Sequence, residues 1–248
     1  LHASAASCFS ARWGDALGYP IEFDKGATID EHGGPPQHLT RSSRGPAFVS
    51  DDTQMTFFTV EGLIRWLFAL RSEPAIAALP YLLGAYQRWY GTQRVIAPRS
   101  AASKAVTKGK RWGGRLVARG GARRDGDSGG GECGPQARRL WIAITRGDRG
   151  LRRRVVGEEA LAIGLACALG HRGSARRTLW TAVAHDGDSD SMGSIAGNLL
   201  GAMAEGLGDA EEWSSEVEMY ELADELSADL SAASSGGAVS EVSYPRGP

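Results

Sequence analysis

Carboxylates at every second residue make His185 to Gly201, H-D-G-D-S-D-S-M-G-S-I-A-G-N-L-L-G, the most chemically loaded stretch of the chain. Asp186, Asp188 and Asp190 alternate with Gly187 and Ser189; Ser191 follows, and small residues then run on in a pattern suited to a tightly packed helix. Hard cations such as magnesium take carboxylate, hydroxyl and water oxygens, so this oxygen cluster at a helix start fits divalent-metal ligation. It is not an EF-hand loop. Counted from Asp186, that loop needs Gly at its sixth position and Glu at its twelfth, where this chain has Ser191 and Gly197. The plainer reading is an Asp- and Ser-rich loop in which Asp190 or Ser191 caps the following helix. A second cluster, Ser50-Asp51-Asp52, also opens a helical pattern. Ser50 suits an N-cap and the helix dipole favours acids in the first turn, but two successive Asp behind a hydroxyl exceed what capping requires. If the two helix starts converge, their oxygens could hold two magnesium-like ions about 3.5 to 4 Å apart.

The elements that must position these groups are helical. Residues 9–23 suit a helix end or tight turn, with Gly14 and Gly18 flanking Asp15 and Pro20 stopping the helix, and Glu22 follows in an extended segment. Residues 24–49 hold so many Gly and Pro that a loop is expected, and a loop of that length in a compact domain usually covers something. Residues 50–70 carry an apolar stripe of Met55, Phe58, Gly62, Leu63, Trp66, Leu67 and Leu70. A second helix is expected over 80–90, with Leu83, Tyr86 and Tyr90 along one side and Gly91 as its C-terminal cap. Helical patterning resumes at 158–169, at 175–184 behind a Ser174 cap, and at 192–207, where small residues allow a neighbouring backbone or a ligand to approach closely. A last helix is expected over 211–231, and the Ser- and Gly-rich tail 234–248 reads as flexible. No segment alternates as a strand does, so the fold class is all-α.

A chain of 248 residues, 42% hydrophobic, can bury a substantial core, and residues 1–233 read as one domain. Cys8, Cys133 and Cys167 are odd in number and lack disulfide or zinc spacing, which favours a reducing, cytoplasmic setting. No apolar run is long enough to span a membrane, and no basic-then-apolar leader opens the chain. It begins with Leu1 rather than Met, as a chain whose native start is missing would. The net charge of −1 conceals an asymmetry: residues 91–156 hold 17 Lys or Arg against 4 Asp or Glu, and the remainder holds 11 against 25. Nucleic acid is not the expected partner of that basic block, because it has no repeat and no aromatic interleaving beyond Trp112 and Trp141.

Three motifs together, G-D-A-L-G-Y-P-I-E-F at 14–23, S-D-D-T-Q-M-T at 50–56 and the 185–201 stretch, closely resemble the ADP-ribosylglycohydrolase family. The resemblance covers residues 9–90 and 156–230. It implies a compact, orthogonal multi-helix domain around a binuclear magnesium or manganese centre, acting on an ADP-ribosylated protein or a small ADP-ribose conjugate. Motif by motif, it implies metal ligands at Ser50, Asp51, Asp52, Asp188, Asp190 and Ser191, with Asp186 just behind them. Glu22 corresponds to a mobile acidic residue next to a lid loop, and Asp52 or Glu22 is the candidate base. The activity implied is metal-dependent hydrolysis of the glycosidic bond between ADP-ribose and its acceptor. The alternative is a catalytically inactive member that keeps the metal site for a binding or structural role.

The resemblance breaks in residues 91–156. A loop close to S-K-G-C-G-G-V-M-R, which holds the diphosphate in the family, and a T-H-G-H-P motif that lines the ribose are both missing; the nearest remnant is Thr107 to Arg115. Three readings of the segment remain: a basic insert for nucleic acid or an acidic partner, a divergent and shortened substrate lobe, or translation out of frame.

Overall fold

The computed structural model describes residues 3–22, 24, 26–31, 34, 38–40, 45–94, 157–171, 173–185, 187–203, 208–240, 243–244 and 247. Eight α-helices lie among them: α1 (Ala3–Gly18), α2 (Gly26–Glu31), α3 (Asp51–Ser72), α4 (Leu79–Arg94), α5 (Gly157–Gly170), α6 (Ala175–Val183), α7 (Ser189–Met203) and α8 (Tyr220–Ser234). Tyr19–Ile21 and Gly208–Ser215 are 3-10 helices, and an isolated parallel bridge joins Ala47 to Val217. The fold is all-α among the described residues. No helix there is long and apolar enough to cross a membrane. The basic stretch from 95 to 156 lies outside the described residues. Contacts divide the chain into two compact units, one within 2–53 and 125–224 and the other within 54–124 and 225–248.

The first unit is organised by α1 against α7. A Cβ on Gly14 would stand 1.9 Å from the Gly193 carbonyl oxygen, and one on Gly197 would stand 2.1 Å from that of Ser10. The two backbones therefore touch, and the Ser10 hydroxyl donates to the Gly197 carbonyl at 2.7 Å. Interior glycines cost helix propensity by about 1 kcal/mol each; this contact is what they make possible. Around it Trp13, Leu17, Leu179, Val183, Leu200 and Trp213 form a buried core. α6 is capped by Ser174, whose Oγ accepts from Arg177 N at 3.2 Å, and Asp209 accepts from Ala175 N at 2.8 Å.

Three expectations about this unit need correction. The 24–49 stretch is not all loop, since α2 forms within it. α7 begins at Ser189 rather than Met192, which brings Asp190 and Ser191 into its first turn. The single helix over 211–231 is two elements, because the chain between them is diverted sideways: Ala47 N donates to Glu216 O at 2.7 Å and Glu218 N to Ala47 O at 3.0 Å. Those tertiary hydrogen bonds override the helical spacing of Trp213, Val217 and Tyr220.

In the second unit α3 buries Phe57, Phe58, Val60 and Ile64 most deeply among its apolar side chains; of these only Phe58 belongs to the expected stripe, and Leu63, Trp66, Leu67 and Leu70 are only half-buried. α4 turns Tyr81 and Ala85 inward and leaves Leu83, Tyr86 and Tyr90 at 56%, 38% and 55% exposure, opposite to the expected stripe. The close approach explains the choice of face: a Cβ on Gly62 would meet Ala85 Cβ and Tyr81 O at 3.0 Å, so only a small side chain fits there. α4 also continues past Gly91 to Arg94. Beyond α8, Ser243 and Tyr244 are buried, and the Tyr244 hydroxyl donates to Asp229 at 2.8 Å.

Candidate metal and catalytic site

Helix α1 and the turn after it bring two carboxylates to the site. Asp15 is fully buried. Its carboxylate accepts from Ser50 N at 3.0 and 3.1 Å, from Thr53 N at 3.0 Å, and from the Thr53 hydroxyl. Asp15 thus satisfies orphan amides at the start of α3. Ser50 contributes as well, its Oγ accepting from Asp52 N at 3.1 Å. Burial pushes the Asp15 carboxyl up to about 7, against the opposing pull of the Thr53 and Ser50 donors. The 3-10 turn Tyr19–Ile21, with Pro20 inside it, ends the α1 segment and presents Glu22.

The other carboxylates come from the start of α7. Gly187 takes φ 145, a conformation that L side chains rarely adopt, and Asp188 follows it directly. Ser191 N donates to Asp190 Oδ1 at 2.9 Å and lies 3.4 Å from Asp188 Oδ1. Glu22, Asp188 and Asp190 each place an oxygen within 4.8 Å of the others. The clusters predicted from sequence meet through one hydrogen bond, from Ser191 Oγ to Asp52 Oδ2 at 2.8 Å. Asp52 is half-buried and Asp51 is exposed; neither belongs to the Glu22–Asp188–Asp190 group. Asp186 lies outside the described residues.

Negative charge is crowded here. Asp190 is almost fully buried, and its carboxyl is pushed well above the usual range by that burial, then by its hydrogen bond with Asp188 and by the charges of Asp15 and Glu22. Asp52 is raised by burial and by Asp188 and Asp51, although Ser191 pulls it down. Tyr19 is raised by burial and then by Glu22, Asp15, Asp190 and Asp51, so its phenol senses the same negative field. No described basic side chain pairs with Asp52, Asp188 or Asp190. Convergent hard oxygens with uncompensated charge fit a magnesium- or manganese-like cation.

In the sequence Asp15 is marked only by the two glycines near it. The signal was present in G-D-A-L-G: Gly14 and Gly18 face the α7 backbone, with a Cβ on Gly18 standing 2.4 Å from Ser189 O, so the acid between them is carried into the interior.

The chain matches the family described as ADP-ribosylglycohydrolase over residues 6–156 and 122–238, two segments that both include 122–156. No curated protein matches it. One solved structure, an ADP-ribosylglycohydrolase-related protein complex, is similar at 18% identity and a TM-score of 0.46, over 93% of this chain and 98% of its own. With the family matched across most of its length, the chain belongs to the ADP-ribosylglycohydrolases, a family of hydrolases.

Proposed function

We propose that the protein is a metal-dependent hydrolase that cleaves the glycosidic bond between ADP-ribose and an acceptor, either a protein side chain or a small conjugate. The observation that carries this reading is the hydrogen bond from Ser191 to Asp52, which joins two acidic helix starts far apart in sequence. Ser50, Asp51, Asp52, Asp188, Asp190 and Ser191 are the proposed ligands of two magnesium or manganese ions, with Glu22 beside Asp188 and Asp190. Bound metal supplies positive charge that offsets the crowded carboxylates and fixes the ribose hydroxyls.

Asp52 is the favoured base over Glu22. Its carboxylate is half-buried at the point where the two acidic helix starts meet, and a carboxylate there can take a proton from a water. Ser191 orients the Asp52 carboxylate by donating to Oδ2. A water attacks C1 of the ribose and gives its proton to Asp52 as the C1–N or C1–O bond breaks. The electron pair leaves with the acceptor, which is then protonated, and ADP-ribose is the second product. Release of ADP-ribose from ADP-ribosylated arginine or serine peptides in magnesium tests the reading, with Asp52→Asn expected to lose at least about 100-fold in rate. An Asp52→Asn protein as fast as wild type removes Asp52 from the chemistry, and no release by wild type removes the activity.

A second reading, a family member that binds metal without turnover, is favoured by the absence of an intact diphosphate loop or T-H-G-H-P motif in residues 91–156. Magnesium binding by calorimetry without ADP-ribose release distinguishes it. The domain reading bears on the same choice: in the out-of-frame account, another frame of the coding DNA over 91–156 spells out the missing motifs, and a native insert spells out none.

A further inference from the structure

The segment that opens α3 is held from a second direction, by residues more than 160 positions later in the chain. Glu218 is buried, and its Oε1 accepts from Val49 N at 3.0 Å. Val49 immediately precedes Ser50. The backbone around Glu218 is tied to the same strand of chain, with Glu218 N donating to Ala47 O at 3.0 Å and Ala47 N to Glu216 O at 2.7 Å. Arg12, fully buried in α1, fixes this region from below: Nη1 donates to Val217 O and Glu218 O, both at 2.8 Å, and Nη2 donates to Ser214 O at 2.8 Å. Its guanidinium also lies 5.7 Å from the centre of the Tyr220 ring. Met219, between Glu218 and α8, takes φ 65, a left-handed conformation rare for residues other than glycine, which persists where surrounding contacts over-determine the backbone.

One turn further along α1, Asp15 takes the amides of Ser50 and Thr53 directly. Helix α1 therefore grips the start of α3 twice. Asp15 does so by contact, and Arg12 does so through 214–218 and the Ala47–Val49 segment. A merely packed loop would not need a buried carboxylate and a buried guanidinium, both costly to desolvate, to hold main-chain groups.

We infer that Glu218 and Arg12 are positioning residues for the acidic site, setting where Ser50, Asp51 and Asp52 stand by fixing the Val49 amide. The inference rests on the proposed metal site for its functional consequence, while the holding of Val49 does not depend on it. Residues that orient metal ligands through a hydrogen bond typically change metal affinity 10- to 100-fold when altered. Coupling is also reciprocal, so metal binding must in turn protect the Val49 amide from exchange.

The test uses the full chain. Hydrogen exchange at Val49 and Ser50 and manganese affinity by titration are measured for wild type, Glu218→Ala, Glu218→Gln and Arg12→Lys. Glu218→Ala is expected to speed Val49 exchange and weaken manganese binding, each by roughly 10-fold or more, and Glu218→Gln, which keeps an acceptor oxygen, to restore most of both. Arg71→Ala serves as the control for general destabilisation, since Arg71 donates to Ala233 O and Gly237 O within the other unit; it should leave both quantities unchanged. If Glu218→Ala does not fold, Glu218→Gln, Arg12→Lys and the slowing of wild-type Val49 exchange by manganese carry the test. Val49 exchange unaltered by Glu218→Ala and Arg12→Lys overturns the inference, as does altered exchange with unaltered manganese affinity. Wild type that binds no manganese removes the proposed metal site instead, and Val49 exchange in the variants then decides whether Glu218 holds that amide.

Discussion

Two of the places where this molecule buries carboxylates treat the charge in opposite ways. In the second unit Glu61 is clasped by two cations: Arg65 Nε takes Oε1, and Arg88 Nη2 takes Oε2 at 2.7 Å. In the first unit Asp190 is equally buried but its neighbours are Asp188, Glu22 and Asp15, each of which raises it further. A protein can bury an acid stably by giving it an arginine, as it does at Glu61. Leaving acids to repel one another is costly, and such strain is expected where a site awaits a cation or a proton transfer.

The contrast can be broken by substitution, beginning with the geometry beneath it. Gly14→Val should be the most damaging change, about 4 kcal/mol or more of lost stability, because even a Cβ at that position would stand 1.9 Å from the Gly193 carbonyl oxygen. Denaturant unfolding measures it, and magnesium binding should be lost with it. Glu61→Leu comes next. Stripping the carboxylate from two arginines leaves buried positive charge and should cost about 3 kcal/mol, read by the same unfolding curves.

Asp190→Asn should move the other way. In the metal-free protein it relieves repulsion and gains about 1 kcal/mol, while magnesium binding is abolished. The pH dependence gives a check of sign. A carboxyl raised in the folded state contributes its stability when protonated and loses it as pH rises, so the advantage of Asp190→Asn should vanish below the ordinary carboxylate pKa of 3.8 and grow above it. An advantage that grows toward acid pH would mean that Asp190 is stabilised as an anion. The smallest consequence for the site belongs to a thiol outside it. Cys167 is raised by burial alone, to about 11. With Cys8 and Cys133 replaced by Ser, its alkylation at pH 8 should run roughly 100-fold slower in the folded than in the unfolded protein.

Most of the helices were legible in the sequence, α2 excepted, because the apolar spacing and caps that define them are local. Ser174 and the acids at the start of α3 lie where their residue types predicted. Which face of a helix is buried was less legible. In α4 the exposed Leu83, Tyr86 and Tyr90 are more apolar as a set than the buried Tyr81 and Ala85, and the choice was made by Gly62 on another helix. The acidic residues of the site could be named from their motifs, but not the hydrogen bond from Ser191 to Asp52, which joins positions 139 residues apart. Asp15 and Glu218 escaped notice for the same reason. Each acts on main-chain amides of a distant segment, and an amide leaves no mark in a sequence.

The account stands most directly on whether the uncompensated acids at the start of α7 hold the cation on which turnover depends. Manganese titration of the wild type and of Asp188→Asn, run beside release of ADP-ribose from a modified peptide, measures it. The account predicts saturable manganese binding and manganese-dependent release in the wild type, both lost in Asp188→Asn. Equal binding in the two proteins, or release by wild type that persists when manganese and magnesium are chelated away, would contradict it.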